Sequence, residues 1–235
     1  MAQKTVWLPE IGEIVLSKRS GTKNIRLSVS AAGKVRIGLP AWAPYAAGVN
    51  FAKSRTDWIK QHLPAATDNY LNHGSRIGKS YRLSYIFDPG ASRTSTRLVA
   101  QSLRITSHLP LSHPSVQTAA VKAGERALRQ EAGLLLPRRL AQLASKNNFE
   151  YKTVRIKKMV SRWGSCSSHK GITLNFFLMQ LPWEMIDYVL LHELVHTRHL
   201  NHSSRFWSDF DQAYPGAKQT RRLLKQYRPV INSVA

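Results

Sequence analysis

The chain has a single cysteine, Cys166, in 235 residues. A lone thiol makes no internal disulfide, so the fold must hold itself by packing, and nothing calls for an oxidising compartment. No stretch approaches the 18 or more apolar residues of a membrane span, and residues 1–10 lack the basic start and apolar run of an export signal. The expectation is a cytoplasmic protein without a membrane segment. Acidic residues are scarce: 13 Asp and Glu face 35 Lys and Arg, a net charge of +22. There is no run of five like charges, no internal repeat and no low-complexity tract, which excludes a basic tail as the source. The charge divides evenly, +11 in residues 1–113 and +11 in residues 114–235. Such a field attracts polyanions such as nucleic acid or an acidic protein surface, and it equally suits a surface kept basic for solubility.

What is present is enough apolar residue, 43%, for one large domain or two small ones. Lys23–Val29 and Lys34–Leu39 alternate apolar and polar residues like strands, with Ala31, Ala32 and Gly33 as a turn between them. Ala46–His62 carries apolar residues at helical spacing and should form one helix ending before Pro64. Tyr81–Phe87 and Ser95–Thr106 read as further strands around the turn Asp88-Pro89-Gly90. Prolines near 110 and 114 then precede a long helical pattern, Ser115–Lys146, in which Pro137 predicts a kink or a break into two helices. Val154–Met159 and Ile172–Met179 read as a hairpin around a polar turn at 164–171. Pro182 opens a helix expected from Trp183 to His199. The fold class expected is α+β, with a β-rich region over 1–113 and a second domain over 114–235.

The informative segment is His192-Glu193-Leu194-Val195-His196. Residues four apart share one helical face, so both imidazoles can reach one ion while Glu193 reaches a water on it. With 9 His and 7 Glu, chance supplies roughly 0.01 matches to this pattern. Zinc with three protein ligands keeps an open position, activates water and polarises a carbonyl, and Glu193 would be the general base. Ile186, Val189, Leu190, Leu191, Leu194 and Val195 surround the motif, and buried imidazoles need a partner that a metal supplies. A third ligand has to come from beyond the helix. No glutamate follows Glu193, which removes one common arrangement. His199 stays in line with the first two, about 10 Å from His192 along the axis, and suits tetrahedral zinc poorly. His202 is better placed, if Asn201 ends the helix in a left-handed conformation and the chain turns back. Ser203 or Ser204 can cap a following helix whose Asp209 and Asp211 are candidates to orient an imidazole or to replace His202 as ligand.

Arg162-Trp163-Gly164-Ser165-Cys166-Ser167, Ile172-Thr173-Leu174-Asn175, Ile186-Asp187-Tyr188-Val189 leading into the histidine motif, and Asn201-His202-Ser203 with Phe206-Trp207 together resemble the YgjP-like metallopeptidase family, kin to the SprT-like and WLM zinc peptidases. The resemblance is strong over about 150–210 and weaker before, where Lys18-Arg19 and Trp58-Ile59 fall in the expected order. It implies a zincin-like metallopeptidase domain with zinc on His192, His196 and His202. The metzincins share the spacing, but they carry glycine where this chain has His199, and no methionine follows.

The function expected is therefore zinc-dependent hydrolysis of peptide bonds in a protein or peptide substrate. The alternatives are a basic nucleic-acid-associated protein whose zinc site is structural or inactive, and a peptidase acting on DNA-bound proteins. Zinc peptidases commonly hold extended substrates by adding them to a sheet edge. Arg162 and Asn175 are placed to face such a cleft, or else belong to a structural turn. Cys166 reads as a small buried thiol rather than a nucleophile, and the six tryptophans as core residues.

Overall fold

The computed structural model describes residues 3–29, 33, 35–63, 70–228 and 231. They form two compact units, residues 1–68 and 69–235. The expected division at 113/114 is displaced by a clear physical cause. Leu83, Leu103 and Ile105, assigned from sequence to the first region, share one core with Val116, Ala120, Ala127 and Leu128. The prolines at 110 and 114 turn the chain without separating two cores.

In the first unit, strands β1 (Gln3–Leu8), β2 (Gly12–Arg19), β3 (Arg26–Val29) and β4 (Val35–Pro40) make a sheet of order β1-β2-β4-β3. The central pair β2 and β4 is parallel and the outer pairings are antiparallel. Side chains alternate between faces along a strand. Ile14 and Leu16 of β2 and Val35, Ile37 and Leu39 of β4 are buried on one face with Ala52 and Ile59. The two alanine- and tryptophan-bearing helices there are α1 (Tyr45–Lys53) and α2 (Thr56–His62), not the single helix expected over 46–62. Gly48 of α1 lets the helix lie close, since an added Cβ would stand 3.0 Å from Leu16 and 3.1 Å from Leu39. Gly33 has a positive φ of 74°, as a turn requires; Ala31 and Ala32 lie outside the described residues.

The second unit is built on α3 (Pro114–Lys146), 33 residues long and continuous through Pro137, so the break into two helices does not occur. His113 caps it, its Nδ1 accepting from Ser115 N. Ahead of it, strands β5 (Arg82–Phe87), β6 (Ser95–Val99) and β7 (Ser102–Ser107) form a sheet of order β5-β7-β6. The single strand expected over 95–106 is thus two, folded back at Ala100, whose φ is 50°. Beyond α3, β8 (Thr153–Lys157), β9 (Gly164–Cys166) and β10 (Gly171–Asn175) make a sheet of order β8-β10-β9. β8 and β10 run parallel, so they are not the expected hairpin; β9 and β10 are the antiparallel pair. The residues expected to extend β10 to Met179 coil into a 3-10 helix, Phe176–Gln180. Three helices follow, α4 (Trp183–Val195), α5 (Ser204–Ala213) and α6 (Ala217–Leu224). Among the described residues, no helix is long and apolar enough to cross a membrane. The tryptophans are not all core: Trp7 is 71% and Trp42 78% exposed.

Two polar ties fix α3 in this unit. Arg139 donates from Nε and Nη2 to the two carboxylate oxygens of Asp187 on α4, at 2.7 and 2.5 Å. Glu131, 3% exposed, accepts the backbone N–H groups of Lys79 and Ser80 at 2.8 and 2.5 Å. Replacing Glu131 by Ala would remove the shared charged acceptor of both N–H groups. Glu131→Ala is expected to lower unfolding stability by about 3 kcal/mol, read as a fall in the urea midpoint; a change within experimental error would show that water replaces the carboxylate.

Candidate metal centre

α4 forms because Pro182 starts it with a fixed φ and because its buried residues, from Met185 to Val195, cover nearly every side. It ends four residues before the expected stop at His199. Thr197 N and its hydroxyl both bond Leu194 O, and Arg198 N and His199 N both reach Val195 O, so the last turn tightens and releases the chain. Asn201, expected in a left-handed conformation, does not have a positive φ. The reversal is made by 197–200 instead, and Ser203 then caps α5, its hydroxyl accepting from Phe206 N.

The turn brings His202 back over the helix. Its Nε2 stands 3.1 Å from Nε2 of His192 and 3.2 Å from Nε2 of His196, and the three rings offer donor atoms all within 4.8 Å of one another. His196 Nδ1 lies 2.9 Å from the carbonyl oxygen of His199. A carbonyl only accepts, so Nδ1 carries the proton and Nε2 presents a lone pair to the centre. Zn–N bonds of roughly 2.0–2.1 Å in a tetrahedron set two nitrogens about 3.3 Å apart. The observed separations match that spacing, and the three-histidine group could hold a metal ion. His199 itself faces away: its Nε2 pairs with Asp209 Oδ2 at 2.9 Å. Asp209 thus orients the residue whose carbonyl orients His196, and Asp211 is exposed on α5.

An aromatic wall surrounds the rings. Phe206 is fully buried with its centroid 5.0, 4.6 and 4.7 Å from those of His192, His196 and His202, and Trp207 stacks on His202 at 5.6 Å. Burial drives the His192 pKa down to about 3, assisted by the neighbouring charges of His196 and His202, and burial lowers that of His196 as well. Both rings are therefore neutral at pH 7, the form that binds metal. Nδ1 of His192 is buried without a hydrogen-bond partner among the described residues.

Glu193 is 5% exposed, and its side chain lies against β9. A Cβ added to Gly164 would come 2.7 Å from both Cγ and Oε1 of Glu193, a requirement that the sequence alone did not reveal. Burial raises the Glu193 pKa to about 8, and the charge of Arg162 pulls the other way. Asn175, by contrast, does not face the cleft. It is fully buried, donating to the carbonyls of Met159 and Arg162 and accepting from Phe177 N. Cys166 keeps its proton: burial, then the charge of Glu193, lifts its pKa to about 11. Beside Glu193 and His192 opens a pocket of about 330 Å³ walled by Trp163, Tyr188, Val189, Arg221, Leu224 and Tyr227. The last three come from or follow α6, which sequence reasoning did not connect with the site.

The sequence profile of the YgjP-like metallopeptidase domain matches residues 23–227. The chain belongs to the YgjP-like metallopeptidase family. It is accordingly a metallopeptidase, of a family that typically uses zinc. Among solved structures, the zymogen of the metallopeptidase abylysin from Pyrococcus abyssi is 26% identical, over 39% of this chain and 94% of its own, with a TM-score of 0.36. The zymogen of jannalysin from Methanocaldococcus jannaschii is 22% identical over 38% and 93%, with a TM-score of 0.35. No curated protein matches this YgjP-like chain.

The site's burial gives the metal-stripped protein a pH signature. The carboxyl of Glu193 titrates near 8 in the folded chain against 4.5 by itself, so the folded state keeps the proton longer and stability falls as pH rises through that window. His192 acts oppositely, gaining stability between about 3 and 6.5 and adding nothing further above. Between pH 6.5 and 8 Glu193 dominates, with a slope of about 1.4 kcal/mol per pH unit. The urea midpoint of the metal-stripped protein is expected to fall across this range, and Glu193→Gln to remove the fall; the same slope in the variant would assign it to another group.

Proposed function

We propose that this metallopeptidase hydrolyses peptide bonds through a water activated at His192, His196 and His202, with Glu193 as the general base. The observation that carries the reading is the convergence of three imidazole nitrogens, one of them forced by the His199 carbonyl to present its lone pair. A zinc ion on three imidazoles keeps a position for water and polarises a carbonyl. Glu193, next to His192 in the helix, takes the proton of that water on its carboxylate and returns it to the leaving amine. The pKa of about 8 suits this exchange, and a cation beside it favours the carboxylate. Gly164 keeps the carboxyl in place by leaving it room. Phe206 and Trp207 exclude bulk water behind the rings, which strengthens every charge interaction in front of them.

Substrate access follows from the sheet. β9 is an edge strand, pairing among the described residues with β10 alone, and it abuts Glu193. An extended peptide added to this edge would lie across the carboxyl and direct a side chain into the adjoining pocket. Arg162, exposed beside β9, stands where a substrate carbonyl or carboxylate passes. The alternative, a structural zinc in a nucleic-acid-associated protein, is less well supported: structural sites are closed by four protein ligands. Among the described residues the group has three, of which His202 is exposed.

The purified chain is expected to hold one zinc per molecule, and His202→Ala to lose at least about tenfold in zinc affinity. Glu193→Gln should retain the metal while cleavage of an unfolded protein such as reduced casein drops by about 10²–10⁴-fold. Unchanged cleavage in that variant excludes Glu193 as the base, and full metal retention in His202→Ala excludes His202 as a ligand. Gly164→Ala should also keep the metal and lose activity, because the new methyl displaces the Glu193 carboxyl; wild-type kcat would refute that positioning role.

A further inference from the structure

The sheet of the first unit has a second face that the helices α1 and α2 do not cover, and its composition is unlike a merely solvated surface. β4 presents Arg36 and Gly38 there, β3 presents Arg26 and Ser28, β2 presents Val15, Ser17 and Arg19, and β1 presents Gln3, Thr5 and Trp7. The register places Arg26 opposite Gly38, Gly38 opposite Ser17, and Ser17 opposite Gln3. One row across the sheet therefore has an arginine at one end and almost no side chain in its middle. Arg36 stands two residues from Gly38 on one side, and Arg19, paired with Pro40, two residues on the other. The result is a trough of about 550 Å³, floored by Ser17 and Gly38 and walled by Arg19, Arg26 and Arg36.

The three guanidinium groups make no ion pair and no side-chain hydrogen bond among the described residues. Arg19, Arg26 and Arg36 are exposed, and so is Trp7. The one carboxylate on this face, Glu13, sits opposite Trp7 at the far end of the β1–β2 pairing. Three planar forks held on rigid strands around a groove without acidic partners are complementary to a chain of phosphates. The diagonal spacing of Arg26 and Arg36, about 7–8 Å between backbones, spreads the charge along the groove rather than concentrating it at one point.

We propose that this face binds single-stranded nucleic acid, its phosphodiester backbone lying in the trough between Arg19, Arg26 and Arg36. The proposal is independent of the peptidase chemistry, which resides in residues of the second unit. It gives the net charge of +22 a specific place of action, and such binding is steeply salt-dependent, with a slope near −0.7 per neutralised phosphate.

The test uses the full chain and a fluorescein-labelled oligothymidine 20-mer, followed by fluorescence anisotropy from 50 to 200 mM salt. Two triple variants carry the same net charge: Arg19→Gln with Arg26→Gln and Arg36→Gln in the trough, and Lys53→Gln with Arg55→Gln and Lys60→Gln on the helical side. The trough variant is expected to lose at least about tenfold in affinity near 100 mM salt and to flatten the logarithmic salt slope by about 2, whereas the helical variant stays within about threefold of wild type. Gly38→Leu provides a charge-neutral check. An added Cβ there meets nothing closer than 3.9 Å, so the side chain fills the trough without strain, and affinity is expected to fall with melting temperature unchanged. Equal losses in the two triple variants, or full binding by Gly38→Leu, would overturn the proposal. So would a failure of the wild type to bind, or equally tight binding of a poly-glutamate of the same charge, which would make the face a receptor for acidic protein.

Discussion

The convergence of three imidazoles depends on how α4 is made to stop. Were the helix to continue to His199, the third ring would stand in line with the first two and no common point would exist. The chain leaves the helix because Thr197 saturates the Leu194 carbonyl and Val195 receives two N–H groups. The His199 carbonyl so released meets His196 Nδ1, fixing which nitrogen faces inward. Asp209 on α5 closes the arrangement through the ring of His199. One reversal thus sets the position of the third ring, the tautomer of His196 and the seat of the next helix.

The same region holds the most strained electrostatics of the described chain. The imidazoles of His192 and His196 lie against Phe206, with Tyr188 and Phe210 beside His192, the Glu193 carboxyl is buried against Gly164, and each is pushed toward its neutral form. An unpaired polar group buried there would cost ~2–7 kcal/mol and an isolated charge far more, whereas a divalent cation would reverse the balance by favouring the carboxylate and using the imidazole lone pairs. The frame that tolerates this is assembled outside the site. Arg139 and Asp187 lock α3 to α4, and Asn175 secures the 159–162 loop leading into β9. Gly164 completes it by letting the edge strand touch Glu193, so that the buried carboxyl, the three-histidine group and the sheet edge meet at one place.

The first unit is held differently. Its core is one sheet face against two short helices, and the opposite face carries arginines and hydroxyls. Among the described residues, that face carries no histidine group of the kind found in the second unit, so the two proposed ligands, an extended peptide and a polyanion, rest on separate observations.

By itself the sequence pointed to the candidate residues of the proposed site. His192, Glu193 and His196 are local, since a helix converts their spacing into a shared face, and the absence of any later glutamate narrowed the third donor to His202 or an aspartate. Long-period features were legible too, such as α3 and the strands around Asp88-Pro89-Gly90. What needed three dimensions were contacts between residues far apart in the chain. Spacing does not disclose that β8 and β10 run parallel with β9 at the edge, that Gly164 must lack a side chain because Glu193 occupies its space, or that α6 walls the pocket. The boundary between units was misplaced for the same reason: prolines near 110 are a local signal, whereas the shared core of Leu103, Ile105 and Ala120 is a nonlocal one. Local geometry is written in periodicity and capping residues, but burial belongs to pairs of segments, and only the folded chain decides which pairs meet.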